Sequence, residues 1–534
     1  MASKVPIVVA SLLFLGTLSL YLSCAAPGAL FGDGGEFQTL GLVGGIAHPT
    51  GYPTYIMIGQ VFGKLLGGDP ARRMNHMSAF FGAASVCLLL LIQRKLGISQ
   101  ALAVGGALIY ATSFTFWWNA IQAEVYTVSI FLFLASLWLS LRALERPVTG
   151  RIVLAGFSLG LVLTGHLAFA PAVAAMGILL ILRKPVDGAP RAACVSLLAM
   201  SFILGLTPYL YLVWITHGNH PMDYLRYIIE PKVGQFGTTE KAFDNPWGRV
   251  LWLFSGKQEQ LQCCFTDPRG IARNLAHMAL VEFVYHYGPI AGPFFMWGAW
   301  QFARKGNAKR SLILAILIAS ALFCMLVDHP RMQHIFMMPL TIASAILITF
   351  GISSVLHILF DGRVNAPRLK IFAGVIVLAT IILTPHALRV CAEGSQHLPP
   401  KWKMPIESPE PEMRSALSLV PNLRDYRGPG MYGTRALELI PPNALVVCNF
   451  FEFTVLANLH YVQKRRPDIT LELGFPEHLR HLTEWEKSHD LPTHPIVFTR
   501  QIPELMERFP ADEIREVIGE YKLYIHRGKQ QISL

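Results

Sequence analysis

Two carboxylates three residues apart, separated by glycines, are the first place in this chain where residue types and spacing could do chemistry. In Phe31-Gly32-Asp33-Gly34-Gly35-Glu36-Phe37 the glycines let the backbone turn sharply and let a bulky partner come close. A carboxylate so placed can take a proton from a hydroxyl as that oxygen attacks an anomeric carbon. The same spacing resembles a capping box, in which Asp33 and Glu36 only start a helix, and the local pattern leaves both readings open. His48-Pro49-Thr50-Gly51-Tyr52-Pro53 is a rigid turn that delivers His48 to the same loop, or serves packing alone. Glu124, in Ala120-Ile121-Gln122-Ala123-Glu124-Val125-Tyr126, stands at the mouth of an apolar run, where it either faces Asp33 or caps a helix.

The elements that must position these residues are membrane helices. The chain has 534 residues, of which 53% are hydrophobic and 15% charged, with a mean hydropathy of +0.43, a composition that points to a bilayer. A helix needs about 20 apolar residues to cross it. By that rule about eleven spans are predicted, at 5–25, 74–93, 97–116, 125–142, 152–165, 167–182, 192–215, 276–302, 311–327, 333–358 and 371–388. The pair 152–165 and 167–182 could instead be one re-entrant hairpin. Residues 5–22 could be a cleaved signal segment, but the many spans that follow favour an uncleaved first span.

Walking the basic residues sets the sidedness. Arg94/Lys95, Arg142/Arg146/Arg151, Arg183/Lys184/Arg191, Arg304/Lys305/Lys309/Arg310 and Arg363/Arg368/Lys370 fall on alternate loops together with Lys4, and the positive-inside rule makes that side cytoplasmic. The net charge of +11 is thereby spent on loops, and no nucleic-acid partner is implied. On the opposite side lie Asp33, Glu36, His48, Glu124, His166, Asp328, His329 and Arg331. A charge in lipid costs at least ~2.5–3.5 kcal/mol, so ionisable groups gathered at one face line a cavity or a site. Residues 52–66 are too short and too glycine-interrupted to span, and are expected to lie on the external surface with Tyr52, Tyr55 and Phe62 as interfacial anchors. Arg72, Arg73 and Arg331 break the charge rule by lying outside, where their forks would suit phosphate oxygens or anionic headgroups.

After about Leu388 the apolar runs nearly vanish. A Pro- and Gly-rich linker over 389–430 is expected to lead into an α/β domain over 431–534, with strands at 444–448, 470–473, 496–498 and 523–525 and helices at 452–463 and 511–521. The expected fold is thus an α-helical polytopic membrane body over 1–388 with a small soluble α/β domain. Eight cysteines show no CxxC pair and no zinc-type spacing, so no metal site and no disulfide framework are expected. There is no P-loop, no G-x-G-x-x-G opening a helix and no G-x-S-x-G, which removes support for ATP-driven, nucleotide-redox and serine-hydrolase chemistry.

Segments FGDGGEFQTLGLVGGIAHPTGYPTYIMIGQVF, RMNHMSAF, FWWNAIQAEVYTVS, GFSLGLVLTGHLAFAPA, TPYLYLVW and HPRMQHIF together resemble the successive motifs of a membrane family related to protein O-mannosyltransferases, within the GT-C superfamily. The resemblance covers most of residues 28–340 in order. It implies a GT-C fold, a polyprenyl-phosphate-linked sugar donor, a protein or glycan acceptor hydroxyl, inversion at the anomeric carbon and no required cofactor. It assigns Asp33 as the catalytic acid residue with Glu36 beside it. His48, Glu124, His166 and Arg331 match other motif positions and, with Tyr52 and Tyr126, are expected to bind substrate, while the outside position of Arg72 and Arg73 makes them candidate phosphate contacts. The expected setting is a bacterial inner membrane, with the N-terminus cytoplasmic and the C-terminal domain external. The rival class is a multi-pass transporter or flippase, in which the same acids would bind protons or cations, but no internal repeat with matching broken helices supports it. A scaffold role would explain neither DGGEF nor the one-sided acids. Reporter fusions are expected to place the neighbourhoods of Arg94, Arg146 and Lys305 in the cytoplasm and those of Asp33, Asp244 and Glu438 outside; an external Lys305 loop would overturn this topology.

Overall fold

Backbone polar groups have no water to bond in lipid, so an apolar chain must satisfy them within helices, and the membrane body is built accordingly. A computed structural model describes residues 7–360 except 66, 219, 237–239, 263, 289, 305 and 329–332, then 374, and 421–528 except 475–478. The helices run α1 (Ile7–Cys24), α2 (Gly32–Val43), α3 (Pro53–Leu65), α4 (Pro70–Lys95), α5 (Gln100–Ala111), α6 (Phe114–Ala120), α7 (Tyr126–Glu145), α8 (Thr149–Gly165), α9 (Ala170–Ile181), α10 (Arg191–Gly205) and α11 (Tyr209–Ile215). They continue through α12 (Pro246–Phe254), α13 (Lys257–Gln262), α14 (Pro268–Leu280), α15 (Ala291–Arg304), α16 (Ala308–Leu326), α17 (Gln333–Phe336) and α18 (Met338–Leu359). Among the described residues six helices are long and apolar enough to cross a membrane, or seven if α5 and α6, bent by 71°, form one broken span.

Small residues let these helices close on one another, as expected where lipid removes the hydrophobic driving force. A Cβ on Gly160 of α8 would sit 2.0 Å from the carbonyl of Phe202 in α10, and one on Gly298 of α15 would sit 2.0 Å from that of Leu347 in α18. At one end of the bundle Lys95 of α4 and Lys309 of α16 both bond Glu145 of α7, so residues read from the sequence as one loop face do meet.

Three expectations need correction here. The run 276–302 is not one span: it breaks at a π-turn, Val281–His286, where Glu282 and His286 bind each other at 2.9 Å and both reach Thr341. A π-turn leaves side chains off the helical register, and here it carries a polar pair bonded to itself and to Thr341 of α18. Tyr52 and Tyr55 are not surface anchors; both are buried, while Met57, Val61 and Leu65 form the outward side of α3. The expected helix at 511–521 is a hairpin. The span expected at 371–388 and most of the expected linker lie outside the described residues.

That hairpin belongs to the C-terminal α/β unit. Two short strands, β1 (Cys264–Phe265) and β2 (Val327–Asp328), pair within the membrane body; the unit itself has β3 (Leu445–Cys448), β4 (Thr470–Leu473), β5 (Ile496–Phe498), β6 (Glu513–Ile518) and β7 (Tyr521–His526) in the order β4-β3-β5-β7-β6. β3 runs parallel to β4 and β5, and β7 is antiparallel to β5 and β6. Gly519, with φ of 55°, closes the β6–β7 turn in the left-handed region that such two-residue loops require. Helices α19 (Gly428–Leu439), α20 (Phe450–Ala457) and α21 (Leu479–Ser488) cover the sheet.

The unit rests on α2, the helix that begins with the Asp33 motif. Phe31 lies 5.6 Å from the ring of Tyr432 and 5.8 Å from that of Tyr521. A Cβ on Gly35 would meet the carbonyl of Leu30 at 2.2 Å and Thr454 Oγ1 at 2.7 Å, and one on Gly32 would meet the Phe451 ring at 3.1 Å. Phe37 and Leu40 share one buried cluster with Val455, Leu456 and Leu459. At the end of α1, Leu423 N–H donates to the carbonyl of Cys24 at 2.8 Å. The glycines around Asp33 therefore admit a neighbouring helix, where the sequence had suggested room for substrate. Gly35→Ala is expected to cost about 1–3 kcal/mol by overpacking and to open α20 to limited proteolysis in the membrane-embedded protein; unchanged melting and cleavage would mean that the unit does not depend on this contact.

Candidate active site

Asp33 lies in the first turn of α2, whose N-cap is Phe31 and makes no side-chain cap. The capping-box alternative is therefore absent: Glu36 does not reach back to the helix start. It is 2% exposed and turns to the His48 turn, accepting from His48 N–H at 3.1 Å through Oε1 and facing His48 Nδ1 at 2.5 Å through Oε2. Asp33, one turn earlier, is exposed.

The partly buried imidazole of His48 loses solvation, but Glu36, Asp33 and Glu124 more than offset that loss and hold its pKa at about 10. Glu124 goes the other way. Burial, then the charge of Asp33, pushes its carboxyl well above the ordinary carboxylate range, which favours its neutral form. His166 is pushed down to about 3 by burial and by His48. Its Nδ1 accepts from Ala168 N–H at 3.0 Å, so the neutral ring carries its proton on Nε2, a buried atom with no partner among the described residues. The rings form a chain from His48 to Tyr52 (5.2 Å), Tyr52 to His166 (5.3 Å) and His166 to Tyr126 (5.6 Å), with Phe37 between His48 and Tyr55.

Asp33, Glu36 and His48 each bring a ligand atom to within 4.8 Å of the others, which is the set among the described residues that could hold a divalent cation. The 2.5 Å pairing of Glu36 with His48 already satisfies two of those three groups as an ion pair. Of the remaining sequence candidates, Arg331 falls outside the described residues. Arg73 donates to the carbonyls of Gly63 at 2.9 Å and Gly68 at 2.7 Å, clamping the α3–α4 loop. Arg72 is exposed and bonds His76 at 3.2 Å.

Sequence reading missed the groups that hold this arrangement in register. Gln38, fully buried, accepts from Leu30 N–H at 3.0 Å and donates to Gly28 O at 3.0 Å and Asn75 Oδ1 at 2.9 Å. Asn75 donates to Ala26 O at 2.8 Å and accepts from Ala123 N–H at 2.9 Å, beside Glu124. Ser78 bonds the Glu124 backbone at 3.3 Å. The available signal was a pair of amides, Gln38 and Asn75, in otherwise apolar helical faces, which an apolar setting tolerates only when satisfied.

Several helices long and apolar enough to cross a membrane thus carry a site in which Asp33, Glu36 and His48 come together. Residues 33–187 match the family profile of the Protein O-mannosyl-transferase TMEM260 N-terminal domain. Protein O-mannosyl-transferase TMEM260 of Mus musculus is 32% identical over 112 residues, 21% of this chain and 16% of that protein. Its counterpart in Dictyostelium discoideum is 26% identical over 234 residues, 40% of this chain and 28% of that one. The match thus spans less than a third of the length of either curated relative. The crystal structure of ArnT from Cupriavidus metallidurans bound to undecaprenyl phosphate superposes with a TM-score of 0.56 over 98% of this chain and 99% of that one, at 11% identity, and shows a common fold. Residues 33–187 are thus similar to the TMEM260 N-terminal domain, and the chain shares its fold with ArnT.

Two outcomes follow from the geometry. His48 has a folded pKa of about 10 against an ordinary 6.5, so the stability it contributes is complete below about pH 6.5 and is lost as pH rises through 10. Melting temperature is expected to fall between pH 7 and 10.5, with the slope flattened in His48→Gln; parallel slopes would contradict the pairing. Asn75→Ala leaves buried amide and carbonyl partners unmet and is expected to cost about 1–3 kcal/mol for each group stranded, read as a lower melting temperature with membrane insertion unchanged. Wild-type melting would contradict its pinning role.

Proposed function

We propose that this chain is a membrane glycosyltransferase that moves a mannose-like sugar from a polyprenyl-phosphate carrier to a hydroxyl of a protein or glycan on the external face. The observation that supports it most is the division of labour among the acids. Glu36 is buried and paired, Glu124 is pushed toward its neutral form, and Asp33 alone of the three is exposed. Asp33 takes the proton of the acceptor hydroxyl, the hydroxyl oxygen attacks the anomeric carbon from the face opposite the carrier, and the carbon–oxygen bond to phosphate breaks. Single displacement inverts the anomeric centre and releases polyprenyl phosphate.

In this reading the Glu36–His48 pair orients the turn that carries Tyr52, and the His166 Nε2–H donates to a sugar hydroxyl beside the rings of Tyr52 and Tyr126, with Glu124 as a further sugar contact. Buried unmet donors of this kind discriminate strongly for a partner that can satisfy them. Arg331 holds the leaving phosphate. The phosphate role is not extended to Arg73, whose guanidinium is committed to the α3–α4 loop. The names of the relatives support the mannose-like sugar and protein acceptor, and the ligand named in the ArnT structure supports the polyprenyl carrier. Loop charges support an N-terminus inside and the α/β unit outside, as in a bacterial inner membrane.

Asp33→Asn keeps the shape and removes the base, so transfer is expected to fall by about 10²-fold or more while donor binding survives. Glu36→Gln is expected to cost less. Full transfer by Asp33→Asn, in a preparation whose wild type turns over, would move the base to another acid.

A further inference from the structure

Where the C-terminal unit meets the membrane body, a cavity of about 680 Å³ opens between Pro27–Ala29, Arg72 and one side of α19. It carries three guanidinium groups, Arg72 from the body and Arg427 and Arg435 from the unit, against one carboxylate, Glu438. All three arginines are exposed, and Glu438 is already paired with Arg435 at 3.0 Å. The first turns of α4 and α19 also contribute to this wall, adding partial positive charge. Like charges gathered from two separate parts of a fold repel one another unless an anion completes them.

Spacing decides which anion fits. Arg427, at the N-cap of α19, and Arg435 are eight residues apart, about 12 Å at 1.5 Å per residue, and Arg72 comes from the membrane body. A single phosphate would have to draw all three together, whereas an extended chain with several carboxylates meets each in place. Met431, 55% exposed, with Tyr426, Pro27 and Ala29, offers apolar contact between the charges. The floor of the cavity, Gly28–Ala29, is only four residues before Asp33.

We propose that this cavity is the docking groove for an acidic, extended segment of the acceptor polypeptide, held by Arg72, Arg427 and Arg435 so that a neighbouring hydroxyl reaches Asp33. Recognition of acidic segments by arginine clusters is a recurrent binding mode. The proposal rests on the transferase reading for its purpose, but not for its binding. It assigns the C-terminal unit half of the acceptor site and explains why that unit is seated on α2.

The test uses the full chain in nanodiscs of neutral lipid, with a fluorescent Ser/Thr/Glu peptide of about twelve residues, long enough when extended to pass all three arginines. A second peptide has Gln in place of Glu. The acidic peptide is expected to bind about tenfold tighter than the neutral one, with the preference shrinking at high salt. Arg427→Gln/Arg435→Gln is expected to remove the preference, and Arg427→Lys/Arg435→Lys to retain most of it, which separates charge from folding. Equal affinity for the two peptides, or an unchanged preference in the Gln variant, would overturn the proposal. So would displacement of the peptide by polyprenyl phosphate or by inorganic phosphate, the first assigning the groove to the lipid carrier and the second to a small anion. A wild type that binds the acidic peptide but never glycosylates it keeps the groove and sinks the transferase reading; transfer without charge preference does the reverse.

Discussion

A carboxylate cannot be left unmet in a nearly dry site, and the seating of Glu36 is the constraint on which the rest of the candidate site depends. Its two oxygens are taken by the backbone N–H and the ring of one residue, His48. That double contact fixes the turn 48–53 against α2. Fixing the turn sets the start of α3, and with it the rings of Tyr52 and Tyr55, which then pack toward His166 and Phe37. Asp33 is left one turn away on the open side. Removing one partner of such a pair strands the other charge, and the cost of doing so exceeds the worth of the pair itself.

A second consequence is that α2 is held on every side but the one that presents Asp33. One face holds the His48 turn and α3, another is knotted by Gln38 to Asn75 of α4, and a third receives α20 of the C-terminal unit through Gly35. A helix of 12 residues would be marginal alone. Here three neighbours define its position, so the open carboxylate it carries is held by packing rather than by its own propensity. The same arrangement links the C-terminal unit to the proposed base: whatever shifts α20 presses on the helix that presents Asp33. Catalytic groups need placement to a fraction of an ångström, and the glycine contacts of α2 are of the kind that transmit a displacement.

The parts of this fold that were legible in the sequence are those where physics allows one solution. Apolar runs of about 20 residues had to be helices, and polar residues at their external ends had to share a face, so the gathering of Asp33, Glu36 and His48 could be read before any coordinate. What escaped reading depended on partners far away in the chain. Tyr52 and Tyr55 carry the same ring whether it lies at a lipid interface or in a core, and only the contacts with Phe37 and His166 decide between them. Glu282 and His286, four residues apart in an apolar run, were the visible sign that 276–302 breaks. The charged alternation of 513–518 suits a half-exposed strand as well as a helix face, and Gly519 was the residue that could have separated them. Gln38 and Asn75 were legible as polar residues but not as partners.

In the proposed reaction an open Asp33 activates an acceptor hydroxyl for one direct displacement on a lipid-linked sugar. The most direct measurement is the anomeric configuration of the product, read by NMR after incubating the purified chain in nanodiscs with a polyprenyl-phosphate sugar of defined anomer and a hydroxyl-bearing peptide. The account gives release of polyprenyl phosphate in step with a glycopeptide of inverted configuration. A product that keeps the donor's configuration would require a covalent intermediate and a different role for Asp33, and peptide left unmodified while the donor remains intact would contradict the transferase assignment itself.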